Sequence, residues 1–74
     1  MNLVMQAEQL RQYKEANGAS VPQMANHFGI KQQDVRNLLR LLKLTPANQQ
    51  RIRQMNLRDA VKQMKRIEPA LWNE

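Results

Sequence analysis

The chain has 74 residues, room for one domain, with 12 Lys and Arg against 6 Asp and Glu and no cysteine. A domain this short has a thin stability margin, the missing cysteine excludes disulfides and thiolate metal sites, and no apolar run approaches the roughly 18 residues of a membrane span. The opening MNLVMQAEQLRQ has neither the basic start nor the apolar stretch of a secretion signal, so a cytoplasmic protein without contact to a membrane is expected.

Ala, Leu, Met, Gln, Lys and Arg dominate, all good helix formers, and no segment alternates with the period of two that a half-buried strand needs. An all-α fold of about five helices is therefore predicted. The first helix runs from about Leu3 to Ala16. Leu3, Ala7 and Leu10 mark its inner face, continued by Tyr13 or the stem of Lys14, and Asn17-Gly18 ends it with a glycine suited to a left-handed cap. Ser20 starts a second, short helix: Ser20 and Gln23 have the spacing of a capping box, and Pro22 is tolerated in a first turn. That helix stops at Phe28-Gly29. A third runs from Lys31 or Gln32 to about Lys43. Thr45-Pro46 opens a fourth, with Thr45 as N-cap and Pro46 at the first helical position, anchored by Ile52 and Met55. A fifth spans about Arg58 to Ile67, with Ala60, Val61, Met64 and Ile67 facing inward. Glu68-Pro69 breaks it, and the following Ala-Leu-Trp allows one last turn that folds Leu71 and Trp72 onto the core. Met5, Met24, Met55 and Met64 are expected as core filler.

Charge is not spread evenly. In residues 1–30, Arg11 and Lys14 cancel Glu8 and Glu15, whereas residues 31–66 hold ten basic residues against Asp34 and Asp59, a local net charge of +8. Such a surface attracts phosphates and points to a polyanionic partner.

Within residues 21–40, Met24, Phe28, Ile30, Val35 and Leu38 are apolar, Ala25 is small where two helices must approach, and Gly29 sits at the turn, where a positive φ would strain any residue with a Cβ. Two short helices joined by such a turn make a helix-turn-helix. The single domain 1–74 thus divides into a core motif at 20–44 and supporting helices at 46–67. Projected at about 100° per residue, the third helix places Val35, Leu38, Leu39 and Leu42 on one stripe, with Gln32 and Lys43 beside it and Leu41 at its other edge. Gln33, Arg36, Asn37 and Arg40 lie opposite. Arg can bond guanine in two places, and Gln or Asn adenine, in the major groove. Gln32, Gln33, Arg36, Asn37 and Arg40 are accordingly the candidate base contacts. Ser20, Gln23, Lys31, Lys43, Thr45, Arg51 and Arg53 are the candidate phosphate contacts, several of them near the starts of the second and fourth helices, where backbone N–H groups favour anions. Asp34 is better placed to stabilise its own helix N-terminus.

The segment MANHFGIKQQDVRNLLRLLKLTPANQQRIRQMNL resembles the central DNA-binding segment of ParB/KorB-type partition and regulatory proteins. The matching features are Ala25, Gly29, Val35, Asn37, the run Leu39-Arg40-Leu41-Leu42, Leu44, Pro46 and the stretch Ile52 to Leu57. The part VRNLLRLLKLTP is the most specific, and the resemblance covers about residues 20–62. It implies an all-helical domain that reads a short, often palindromic site in double-stranded DNA, with Gln32, Gln33, Arg36, Asn37 and Arg40 in or beside the recognition helix. Two positions depart from the family pattern: Lys31 stands where Ser or Thr usually caps the recognition helix, and Asn56 replaces a glycine before the fifth helix. The chain is also too short for the nucleotide-binding and C-terminal dimerisation domains of the partition proteins. It reads either as a small stand-alone regulator built on the same DNA-binding core, which a start at Met1 slightly favours, or as an excised domain.

An enzyme is not expected. His27 is the only histidine, Ser20 and Thr45 are the only aliphatic hydroxyls, and no acid pair or metal cluster appears. His27 reads as a surface residue of the second helix. No cofactor and no small-molecule substrate are expected. The expected function is sequence-specific DNA binding as a small transcriptional regulator or partition-type protein, nucleoid- or plasmid-associated, with a homodimer or a protein partner adding to the reading surface. The alternative is a protein-interaction module whose LLRLLKL segment and basic face dock an acidic partner, such as a transcription-machinery subunit or another regulator.

Overall fold

Caps and turns divide the chain where the sequence predicts. The computed structural model describes residues 2–73, and these form α1 (Leu3–Asn17), α2 (Val21–Phe28), α3 (Gln32–Leu41), α4 (Pro46–Ile52), α5 (Leu57–Ile67) and a closing 3₁₀ turn, Pro69–Trp72, with no strand among the described residues. Asn2 caps α1, its side chain accepting from the N–H groups of Val4 and Met5, and Gly18 ends the helix at φ +61°. The capping box of α2 is complete: Gln23 N–H donates to Ser20 Oγ, and Ser20 N–H donates to Gln23 Oε1. At the other end of α2, Gly29 takes φ +68°, and the N–H groups of Gly29 and Ile30 both donate to the carbonyl of Ala25. That is the arrangement in which a left-handed residue closes a helix and turns the chain out of it.

Two boundaries differ from the sequence reading, each for a local reason. The α-helix of α3 stops at Leu41 and not near Lys43. Leu42, Lys43 and Leu44 donate to carbonyls three residues back, a tightening turn, and the Gln49 side chain donates to the carbonyls of Leu42 and Leu44. The fifth helix starts one residue early, because Asn56 caps it: Asp59 N–H donates to Asn56 Oδ1 at 2.9 Å. Asn56 has φ −70°, so its backbone makes no demand for the glycine that the family pattern carries there. Lys31 precedes α3 with no side-chain hydrogen bond to the helix, the structural counterpart of the other departure.

One core joins the helices. Leu3, Ala7 and Leu10 of α1, Met24 and Ala25 of α2, Val35, Leu38 and Leu41 of α3, then Leu44, Ile52, Ala60 and Met64 are buried together. Helix α3 packs against α1, α2 and α5, and α1 is tied at its start by the Leu3 N–H donating to the Arg53 carbonyl at 2.8 Å. The methionines do not all enter this core. Met24 and Met64 are fully buried and Met55 is half-buried, but Met5 is 61% exposed, because it lies two residues past Leu3 and so falls on the far side of the helix. Leu71 and Trp72 pack, half-buried, against the core.

Candidate nucleic-acid interface

The α2–turn–α3 unit is held from inside by Met24, Ala25, Val35 and Leu38, with Phe28 and Ile30 half-buried at the turn. Its outward side is α3. Gln32, Gln33, Arg36 and Lys43 are exposed and Arg40 is half-exposed. The buried arc is rotated from the projected one. Leu41, expected at an edge, is fully buried, while Leu39 and Leu42 are only half-buried. The reason lies in the neighbours: a helix packed by three others is buried over a wider and differently centred arc than one stripe of leucines suggests.

Asn37 changes position most. Expected on the outer face, it is 8% exposed. Its Oδ1 accepts from Gln33 Nε2 at 3.3 Å and from Arg40 Nη1 at 3.2 Å. It therefore joins two of the other candidate base contacts, one turn to either side of it. Asp34 lies near it, and the two contribute to a shallow cleft between α3 and α5 with Leu57, Arg58, Val61 and Lys62.

A second cleft lies on the outward side of α3. Lys14, Arg36, Leu39, Arg40 and Lys43 line it, four cations with no acidic side chain among them. The next cleft shares Lys14, Leu39 and Lys43 and adds Leu42, Arg11 and Glu15. Arg11 pairs with Glu8 one turn back on α1. Lys14 is the residue the sequence reading missed in this setting. The spacing offers either its stem or Tyr13 to the inner face of α1; Tyr13 is half-buried, whereas the Lys14 side chain is exposed and stands beside the cations of α3. Only the packing of α1 on α3 brings the two together.

The candidate phosphate contacts fall into two groups. Lys31, Lys43 and Arg51 are exposed and Arg53 is half-exposed. Ser20, Gln23 and Thr45 are committed to capping, Thr45 Oγ1 accepting from Asn48 N–H. At the start of α4 the chain also supplies its own anion: Thr45 N–H and Asn48 Nδ2 donate to Glu68 Oε2 at 3.3 and 3.1 Å. Helix starts favour anions for the reason expected, but here a carboxylate of the chain already takes that place. His27 is exposed on α2, its ring stacked on Tyr13 with centroids 4.2 Å apart. Among the described residues no group of three or more His, Cys, Asp or Glu is placed to hold a metal ion, and no helix is long and apolar enough to cross a membrane.

A small all-helical domain with a glycine-turned helix pair and cations on one helix agrees with a family model that the sequence matches, described as the ParB HTH domain, over residues 1–69. The chain belongs to the ParB HTH domain family. Compared with curated proteins and with solved structures, it has no match. Membership makes the chain a helix-turn-helix domain of a DNA-binding family, which is not an enzyme family. The ParB HTH domain match ends before Ala70, so the last turn of the 3₁₀ segment lies outside it.

Proposed function

We propose that this ParB-type domain binds double-stranded DNA sequence-specifically, with α3 in the major groove, and serves as a small transcriptional regulator or a partition-type DNA-binding protein in the cytoplasm, on the nucleoid or a plasmid. The observation that carries this reading is the outward face of α3. Arg36, Arg40 and Lys43 line one cleft with Lys14 of α1, and Gln32 and Gln33 are exposed at the start of the same helix. Cations alone would serve any polyanion. Amide and guanidinium side chains near the N-terminal end of a recognition helix are what base-edge readout requires.

In this reading Gln32, Gln33, Arg36 and Arg40 contact bases, and Asn37 acts mainly from beneath by orienting Gln33 and Arg40. Lys14, Lys31, Lys43, Arg51 and Arg53 contact phosphates. Ser20, Gln23 and Thr45 contribute through the helix ends they cap. One recognition helix spans only a few base pairs, so strong specificity calls for a second copy of the chain or another protein on an adjacent half-site. No cofactor or small-molecule substrate enters this reading.

The test is selection of binding sites from a pool of random duplexes at about 150 mM salt, where non-specific phosphate binding fades, with the wild type and Arg36→Ala in parallel. Enrichment of a motif by the wild type, lost in the variant, is the expected result. Absence of any enriched sequence for either protein would overturn the reading.

A further inference from the structure

The segment after α5 is fastened at both ends. At its start, Glu68 accepts hydrogen bonds from Thr45 N–H and Asn48 Nδ2 of the α4 region. The 3₁₀ turn then returns the chain, Leu71 N–H donating to the Glu68 carbonyl and Asn73 N–H to that of Ala70. At its end the ring of Trp72, half-buried against the core, lies 5.1 Å from Arg40 Cζ and 5.8 Å from Lys65 Nζ. Arg40 is thus contacted both by Trp72 and by Asn37 Oδ1, the latter at 3.2 Å.

A flexible arginine loses rotamer freedom whenever it binds, and a side chain held beforehand in its bound geometry loses less. A guanidinium lying over an indole keeps its charge and edge donors while one face is covered. From this, and resting on the DNA reading above, we infer that Trp72 is a positioning residue: the tail outside the ParB HTH match sets Arg40 on the reading face and sharpens its choice of base. Neither Trp72 nor Glu68 need touch DNA for this. Selectivity at one position of the site then depends on a residue that lies outside the matched residues 1–69.

Two measurements on the full chain test it. Without DNA, the Arg40 Nε–H signal, assigned with Arg40→Lys, is expected to carry a ring-current shift that Trp72→Leu abolishes and Trp72→Phe retains in part. An Arg40 signal indifferent to Trp72→Leu overturns the contact. With DNA, the ratio of affinities for the selected duplex and for a scrambled one is expected to fall about two- to fivefold in Trp72→Leu, and less in Trp72→Phe. In an Arg40→Ala background, Trp72→Leu should change the ratio no further. An equal loss in both backgrounds means that Trp72 acts by another route and overturns the proposal. Circular dichroism separates these effects from unfolding, with Trp72→Phe as the variant that preserves the packing. Failure of the DNA reading looks different: the wild type then enriches no sequence, which removes the role for Trp72 even where the ring-current shift is present.

Discussion

Asn37 and Arg36 stand side by side in the sequence and have opposite surroundings. Arg36 is exposed at the cleft. Replacing it with Ala should leave thermal unfolding unchanged while removing about 1–3 kcal/mol of discrimination at one base pair, read as the affinity difference between the selected duplex and its single-base variants. Asn37 is buried and accepts from two side chains. From the sequence, both substitutions would be expected to spare the fold. Burial changes that for Asn37→Ala, which deletes a shared acceptor and leaves a gap under α3. A loss of about 1 kcal/mol of stability should accompany its loss of selectivity, measurable by denaturant titration. An Asn37→Ala variant as stable as the wild type would show that the two hydrogen bonds contribute nothing to the fold.

At the scale of elements, the α2–α3 turn and the start of α3 make opposing predictions. Gly29 has φ +68°, and a Cβ built there meets nothing within 4 Å. The cost of Gly29→Ala is then backbone strain alone, about 1–2 kcal/mol. In a domain this small each kcal/mol corresponds to about 4–8 °C in Tm, so the melting curve should shift clearly downward. Lys31 gives α3 no side-chain cap. Lys31→Ser supplies one and should stabilise by about 1 kcal/mol, raising Tm, while under the proposed DNA reading the loss of one exposed cation should weaken binding at low salt. An unchanged Tm in Lys31→Ser would mean that the backbone before α3 cannot present a capping hydroxyl.

For the whole molecule, the radius of gyration is 11.8 Å, close to the roughly 11 Å of a compact chain of this length. The tail is thus folded in and the helices share one body. Arg36, Arg40 and Lys43 of α3 and Lys14 of α1 then line one cleft, and under the proposed DNA reading their effect on binding is collective. Affinity should fall steeply with salt, and Lys14→Ala should make the slope of log K against log salt shallower by about one unit without altering the preferred sequence. A preference changed by Lys14→Ala would move that residue from the phosphate to the bases. The symmetry of the selected motif reports on assembly: a two-fold motif with half-sites about one helical turn apart is expected if two copies bind together.

Most of the fold was legible in the sequence because its signals are local. A glycine after a helix, a Ser-x-x-Gln start, a Thr-Pro pair and apolar residues at helical spacing act through neighbours a few positions away, and Gly18, Gly29, Ser20 and Thr45 all do what their local chemistry predicts. The family, too, was readable from VRNLLRLLKLTP, which carries both the core positions and the outward side chains of one helix. What the tertiary structure decided is how α3 is rotated. Burial on a helix packed by three neighbours depends on where those neighbours lie, and so Asn37 went inside, Leu41 went fully inside and Lys14 came to stand beside Arg36 and Arg40. The same holds for Glu68 at the start of α4 and Trp72 on Arg40, contacts separated by 23 and 32 positions in the chain. No periodicity encodes contacts between residues so far apart. They arise only when the helices have packed and the tail has a surface to lie on.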